Sequence, residues 1–245
     1  MIRMLTFWSL PEWMSEQQFE EYFAGSHSVM ARYMEGFRRY AVNRRLRKPV
    51  DALAGPLVAH HMSENWWDSI SEIERCFNSW GGLADFGDTV ALHNADIVEM
   101  MFLQDEQLDV PGYAGVDLGI VRSGRVPGGT KVFGLFLPEE NERFEAWADE
   151  NRAAVAGLPG IERAAIGREV PGIAQLGWKV PRLVFPQRRP PYSRSVEMWF
   201  ADRQGVEAAF DSAEGGAVLE SLAAAGLAPR WAVMNNQDVF FCHDL

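Results

Sequence analysis

The chain has 245 residues, 47% of them apolar, with nine Trp and fifteen Phe, enough for one large or two ordinary cores and too much for a disordered chain. A formal net charge of −11 excludes a nucleic acid or an anionic membrane surface as the main partner, because both need a clustered positive field. With two cysteines in no metal or redox spacing, no apolar run of the roughly 18 residues a membrane span needs, and no small-residue cleavage site at the start, the expected location is the cytoplasm.

In chain order, residues 2–8 (IRMLTFW) read as a first strand. Pro11 and a capping Ser15 introduce a continuous helix over 16–34, with an apolar stripe at Phe19, Phe23, Met30 and Met34 and a stop at Gly36. Runs 37–46 and 57–67 read as strands, 69–80 as a helix and 95–103 as a closing strand. The basic run 38–48 alternates charge with apolar residues and is expected to be a half-exposed strand. Strands at 131–137, 161–170, 194–200 and 230–241, with helices at 141–156, 204–212 and 217–227, repeat the order downstream.

The repetition extends to residues. Superposing Glu64 on Glu197 also places Trp66 on Trp199, Trp67 on Phe200, Ile73 on Val206, Glu74 on Glu207 and Phe77 on Phe210 without a gap. Upstream, Phe19 falls on Phe144, Tyr22 on Trp147, Gly36 on Gly160 and Arg39 on Arg163. The fold class expected is α+β: two tandem ferredoxin-like βαββαβ modules packed sheet to sheet as a pseudo-dimeric α/β barrel. Residues 1–108 form the first module, 109–129 a Gly/Pro-rich linker and 130–245 the second, more divergent module. The irregular run 171–194 is expected to be a lid or edge cover.

The series Phe19, Tyr22, His27, Gly36, Arg39, Tyr40 and Asn43, followed by the Glu64-x-Trp66-Trp67 strand and Phe77, resembles the EthD-like branch of the dimeric α/β-barrel superfamily. The resemblance covers most of the chain as two copies. It implies a pocket between sheet and helices of each module, with cofactor-independent dehydratases, decarboxylases, polyketide cyclases and quinone-forming monooxygenases among the relatives. Other relatives in the wider superfamily bind haem. Fold likeness alone does not choose among these chemistries.

His27 is the first candidate for chemistry. It lies four residues beyond Phe23, on the apolar side of the helix, and an imidazole there can move a proton near neutral pH. The family's first-helix His falls at this spacing. Arg152, beside Asn151, stands at the matching position of the second half, so one active and one structural module are expected. His60 and His61 are adjacent on a strand and should face opposite ways; alternation groups His60 with Met62, Glu64 and Trp66, and His61 with Ser63, Asn65 and Trp67. The Glu64/Trp66 face is expected to be structural, at a sheet edge, and the His61/Asn65 face to meet the cavity.

Tyr40 and Asn43 have opposite parity, so at most one enters the barrel; either could hold an enolate or phenolate oxygen. Arg39 is expected in a structural ion pair. Trp8, Trp66 and Met30, with Met34, Met62, Met100 and Met101, could line a pocket for a flat aromatic ligand. His93 is expected in a loop and His243 in the C-terminal tail. No GxSxG, P-loop or HExxH is present, and neither a metal nor a cofactor is expected.

The function expected is a cofactor-independent lyase or cyclase acting on a small aromatic or polyketide-like compound. His27, His61 and Tyr40 would be catalytic, with Asn43, Asn65, Trp8, Trp66 and Met30 binding substrate. The alternatives are a cofactor-free monooxygenase of aromatic substrates and a non-catalytic hydrophobic-ligand or accessory module. Unpaired strand edges would favour a homodimer.

Overall fold

The computed structural model of the chain describes residues 1–36, 38–46, 50–53, 59–82, 84, 88, 98–111, 129–170 and 191–241. Its strands are β1 (Ile2–Trp8), β2 (Arg39–Arg45), β3 (His61–Trp67), β4 (Val98–Gln107), β5 (Thr130–Phe136), β6 (Ile161–Glu169), β7 (Arg194–Phe200) and β8 (Arg230–Phe241). They close into one antiparallel barrel in the order β1-β3-β2-β8-β5-β7-β6-β4. The first four strands form the arc β4-β1-β3-β2 and the last four the arc β8-β5-β7-β6, joined by the β2–β8 and β4–β6 pairings. Among the described residues no helix is long and apolar enough to cross a membrane.

Helices α1 (Glu16–Tyr22), α2 (Ser28–Met30), α3 (Ile70–Phe77), α4 (Asn141–Ala156), α5 (Arg203–Phe210) and α6 (Ala213–Ala224) accompany the barrel. Ser15 closes a capping box with Gln18, and Ser69 and Ser212 cap α3 and α6, satisfying amides that the first turn cannot. Gly36 and Gly160, matched in the sequence, both have positive φ, 75° and 70°, which lets the chain leave each first helix and enter the next strand.

Strands β3 and β5 are buried along their whole length, because both of their faces are covered and alternation only decides by what. Leu5, Met62, Met101, Phe133 and Met234 belong to the cluster inside the barrel. Met4, Trp8, Tyr40, Trp67 and Phe102 instead pack with Phe19, Phe23 and Phe77 of the first-half helices. Val132, Phe136, Val196, Met198 and Phe200 pack with Phe144, Trp147 and Phe210 in the second half.

The barrel also encloses charge. Lys131 lies 2.7 Å from Glu64 and 2.8 Å from Glu197, and Arg3 bonds Glu64, Glu197 (2.6 Å from Nη1) and Asp105 (2.8 Å). Each cation therefore ties a carboxylate of the other half, and Asn236 donates to Asn43 across the same seam at 2.6 Å. Burial alone would raise Glu64 and Glu197, yet the two cations outweigh it and hold both below the usual carboxylate range. Asp105 is pushed up to about 6 by burial, against the pull of Arg3 and with Glu197 adding repulsion. Three carboxylates facing two cations leave one negative charge uncompensated, and Asp105 is the carboxylate that keeps its proton to the highest pH.

Several expectations are corrected. The first helix is not continuous: a π turn, Phe23–His27, follows α1, and α2 ends in a 3-10 turn at Ala31–Tyr33. Strand β4 runs to Gln107, beyond the expected 103, and Leu108 and Val110, on either side of the expected start of the linker at 109, pack into the second-half cluster. Strand β3 is no edge, since β1 and β2 flank it, so Glu64 and Trp66 face the barrel interior. Strand β2 is buried from Arg39 to Asn43 and opens only at Arg44 and Arg45. Arg39 stacks on Trp66, 4.8 Å from the ring centroid, as Arg163 does on Trp199 at 4.4 Å.

Candidate functional site

The helix-facing surface of the first half carries a lane of polar groups. On β3 these are His61, Ser63 and Asn65, all buried. Pairing places Trp8 and Arg44 on either side of His61, Thr6 and Val42 beside Ser63, and Met4 and Tyr40 beside Asn65. Trp8 Nε1 donates to Ser63 Oγ at 2.9 Å. The corresponding face of the second half differs: the repeat puts Val196 and Met198 where Ser63 and Asn65 stand and Arg194, paired with Glu145, where His61 stands, and pairing puts Ala164 in the place of Tyr40. Burying hydroxyl, amide and imidazole groups costs stability that an apolar replacement does not incur. A face that only had to pack could take the second half's solution.

His27 closes over this lane from the π turn. Along an α-helix each four-residue step overshoots a full turn by about 40°, which would carry a stripe begun at Phe19 and Phe23 away from the sheet by position 27. The π turn, closed by Ser28 N–H to Phe23 O, is wider and takes that drift back. His27 is consequently 2% exposed, its ring 4.6 Å from Trp8 and 4.9 Å from Phe23. Helix α4 runs without such an interruption, and Arg152 at the matching position is about a third exposed and pairs with Glu106 and Asp149.

Two carboxylates set the imidazoles. Asp88 Oδ2 lies 3.2 Å from His27 Nδ1 and also accepts a hydrogen bond from the Tyr22 hydroxyl. Glu20 Oε1 lies 3.0 Å from His61 Nε2, and Glu20 is held below the usual carboxylate range by His61, against the effect of its own burial, with Arg44 adding to the pull. His61 Nδ1 meets His60 Nδ1 at 2.7 Å. Both faces of the arrangement share Phe23, whose ring is 5.2 Å from His61. Among the described residues no group of three or more His, Cys, Asp or Glu side chains gathers to hold a metal ion.

No family model and no curated protein matches the chain. Solved structures do match it over nearly its full length. An anthrone oxidase-like protein aligns with 98% of this chain and 91% of its own, at TM-score 0.59 and 16% identity. A candidate monooxygenase from Fusobacterium nucleatum subsp. nucleatum ATCC 25586 aligns over 100% and 96%, at TM-score 0.57 and 6% identity. A second, from Lactobacillus acidophilus NCFM, aligns over 96% and 93%, at TM-score 0.50 and 11% identity. What they share with this chain is the fold, an α+β closed barrel of the dimeric α/β-barrel type.

Of the residues expected to act together, the structure gathers His27, His61, Tyr40, Asn65 and Trp8 on the helix-facing side of the first arc. Met30 is half-buried in α2, three residues past His27. Asn43 and Trp66 are not part of this group. Asn43 donates to Glu64 Oε1 at 2.8 Å inside the barrel, and Trp66 carries the Arg39 stack there. The expected opposition of His60 and His61 fails because β3 begins at His61: His60 precedes the strand, alternation does not apply to it, and the two rings stack with centroids 4.8 Å apart. His93, His243 and most of 171–194 lie outside the described residues.

Sequence reasoning missed Asp88, Glu20 and Ser63. Ser63 was within reach, since it shares the parity of His61 and Asn65 and faces Val196 in the repeat. Glu20 lies next to the conspicuous Phe19, where a surface carboxylate is unremarkable. Asp88 carries no local signal and is recognised only by its distance to His27.

Proposed function

We propose that the chain is an enzyme acting on a small aromatic or polyketide-like compound at the helix-facing side of its first half, with His27 as the proton-transfer group and Asp88 as its orienting carboxylate. The observation that carries this is the asymmetry between the halves. One buried face keeps His27, His61, Ser63, Asn65 and Tyr40, while the other has apolar Val196, Met198 and Ala164 in place of the last three and ion-paired Arg152 and Arg194 in place of the two histidines. The reading includes a tandem duplication of an EthD-like, ferredoxin-like module, supported by the same strand order in both arcs and the paired Gly36/Gly160 and Trp66/Trp199. The reaction class favoured is cofactor-independent lyase or cyclase chemistry, in which His27 removes a proton from carbon or oxygen and returns it to the leaving group or product.

A second reading, cofactor-free oxygenation of the deprotonated substrate, is favoured by the anthrone oxidase-like and candidate monooxygenase neighbours. It begins with the same proton abstraction. A small aromatic compound is the partner proposed; a homodimer is not needed to satisfy the barrel strands, each of which has two neighbours. The test is turnover of a panel of aromatic ketones and phenols, followed by product mass and oxygen uptake. Loss of water or carbon dioxide without oxygen uptake supports the lyase reading, and stoichiometric oxygen uptake the second. Ligand bound but returned unchanged, or His27→Ala turning over as fast as the parent, rejects His27 catalysis.

A further inference from the structure

We propose that Tyr22 is a positioning residue of the candidate site: its hydroxyl anchors the Asp88 carboxylate so that His27 is held with its proton on Nδ1. The proposal deepens the reading above and rests on it, since His27 is the proton-transfer group there.

Three groups meet at one oxygen. Asp88 Oδ2 accepts a hydrogen bond from the Tyr22 hydroxyl and lies 3.2 Å from His27 Nδ1. An ionised carboxylate only accepts, so both neighbours are donors, and His27 in its neutral form carries the proton on Nδ1. Packing alone does not fix this carboxylate: the Asp88 side chain is 21% exposed, against 2% for His27. A carboxylate open to solvent on one side turns about its own bond unless a hydrogen bond holds it. Tyr22, half-buried at the end of α1, supplies one that does not depend on the state of the imidazole.

The backbone brings the two donors together. Tyr22 and His27 are five positions apart, which on a regular helix places them about 140° apart. The π turn Phe23–His27, closed by Ser28 N–H to Phe23 O, widens the helix between them, and both side chains reach the same atom. The second half shows what the fold needs without such a turn. Trp147 and Arg152 have the same spacing on the uninterrupted α4 and go separate ways: Trp147 Nε1 donates to Ser221 Oγ of α6 at 2.8 Å, while Arg152 pairs with Glu106 of β4. A tie from this helix position to a neighbouring segment is thus common to both halves. In the first half alone, the acceptor of that tie also meets the residue at the His27 position.

The experiment reads the imidazole directly in the full chain, before any substrate is added. Long-range proton–nitrogen spectra of histidine-labelled protein should show His27 as a single tautomer with Nδ1–H; a parent protein with that proton on Nε2 overturns the proposal. Tyr22→Phe should fold, mix the two His27 tautomers and lower kcat on the panel of aromatic ketones and phenols about 10–100-fold with little change in KM. An unchanged His27 spectrum in Tyr22→Phe, or an unchanged kcat where His27→Ala is inactive, overturns the proposal. Ser221→Ala removes the matching tie of the second half and should leave the His27 spectrum and kcat as in the parent; tautomer mixing there would reduce Tyr22 to a general helix tie and overturn its role. Placing 3-fluorotyrosine at position 22 nearly keeps the shape of the ring and makes the hydroxyl a stronger donor, so it should move the His27 Nδ1–H resonance in a folded protein. A resonance that stays in place overturns the shared oxygen. Tautomers mixed in Tyr22→Phe while His27→Ala turns over as fast as the parent would reject the function proposed above and leave the Tyr22–Asp88–His27 linkage standing.

Discussion

His27 Nδ1 rests 3.2 Å from Asp88 Oδ2 although 61 positions separate them in the chain. A carboxylate in that place holds the ring in one orientation and one tautomer and stabilises the imidazolium that forms when the other nitrogen takes a proton, the role of the third member of a nucleophile–His–carboxylate set. Asp88→Asn should therefore lower kcat by about 100-fold or more while changing KM little, because its amide can donate to Nδ1 and invert the tautomer. Kinetics with circular dichroism as a folding control check this; an unchanged kcat removes Asp88 from the mechanism.

The π turn gives a second prediction. A Cβ added at Gly25 would meet nothing within 4 Å, so Gly25→Ala should be tolerated and gain about 0.4–1 kcal/mol by restricting the unfolded chain, seen as a rise of a few °C in melting temperature. Deleting Gly25 instead removes the extra residue of the wide turn. His27 should then rotate off the Trp8 and Phe23 rings, and turnover should be lost in a protein that still folds. Retained turnover would show that the wide turn is not what aims the imidazole.

The α+β barrel class and the strand positions were legible because they rest on periodicity and on residue types that repeat. Trp66 with Trp199 and Arg39 with Arg163 align in the sequence for a physical reason: each pair builds the same cation–π stack inside the barrel. His27 was legible from its spacing to Phe23. What stayed hidden depends on departures from regular geometry. A π turn has no composition of its own, His60 escapes strand alternation because the strand starts one residue later, and Asp88 reaches His27 only through the tertiary fold. Ordinary alternation put Glu64 and Trp66 on one face correctly but could not say that the face was the inside of a closed barrel.

The interior ion pairs predict a large cost for breaking them singly. Lys131→Met leaves Glu64 and Glu197 with one cation, Arg3, between them, and removing one partner of a buried pair costs about 3–5 kcal/mol. Adding Glu64→Gln to Lys131→Met removes one of the stranded charges and should restore part of that loss. Chemical denaturation of both single variants and the double variant closes the cycle; strictly additive losses would mean that the pair is not coupled.

The pH dependence of stability should be set from both sides by the same cluster. Glu64 and Glu197 are held below their ordinary value of 4.5, so the unfolded chain binds more protons than the folded one as pH falls past that value, and their contribution is lost in acid. Asp105 runs the other way. Its folded value of about 6 lies above the ordinary 3.8, so between these values the folded protein keeps a proton that the unfolded chain has lost, and stability falls as pH rises through the interval. The shift corresponds to on the order of 3 kcal/mol, fully felt above pH 6. Melting temperature should therefore peak in mildly acidic buffer, and Asp105→Asn, which keeps an acceptor for Arg3 without the charge, should flatten the decline on the alkaline side. An Asp105→Asn profile parallel to that of the parent between pH 4 and 8 would place the uncompensated charge on another carboxylate of the cluster.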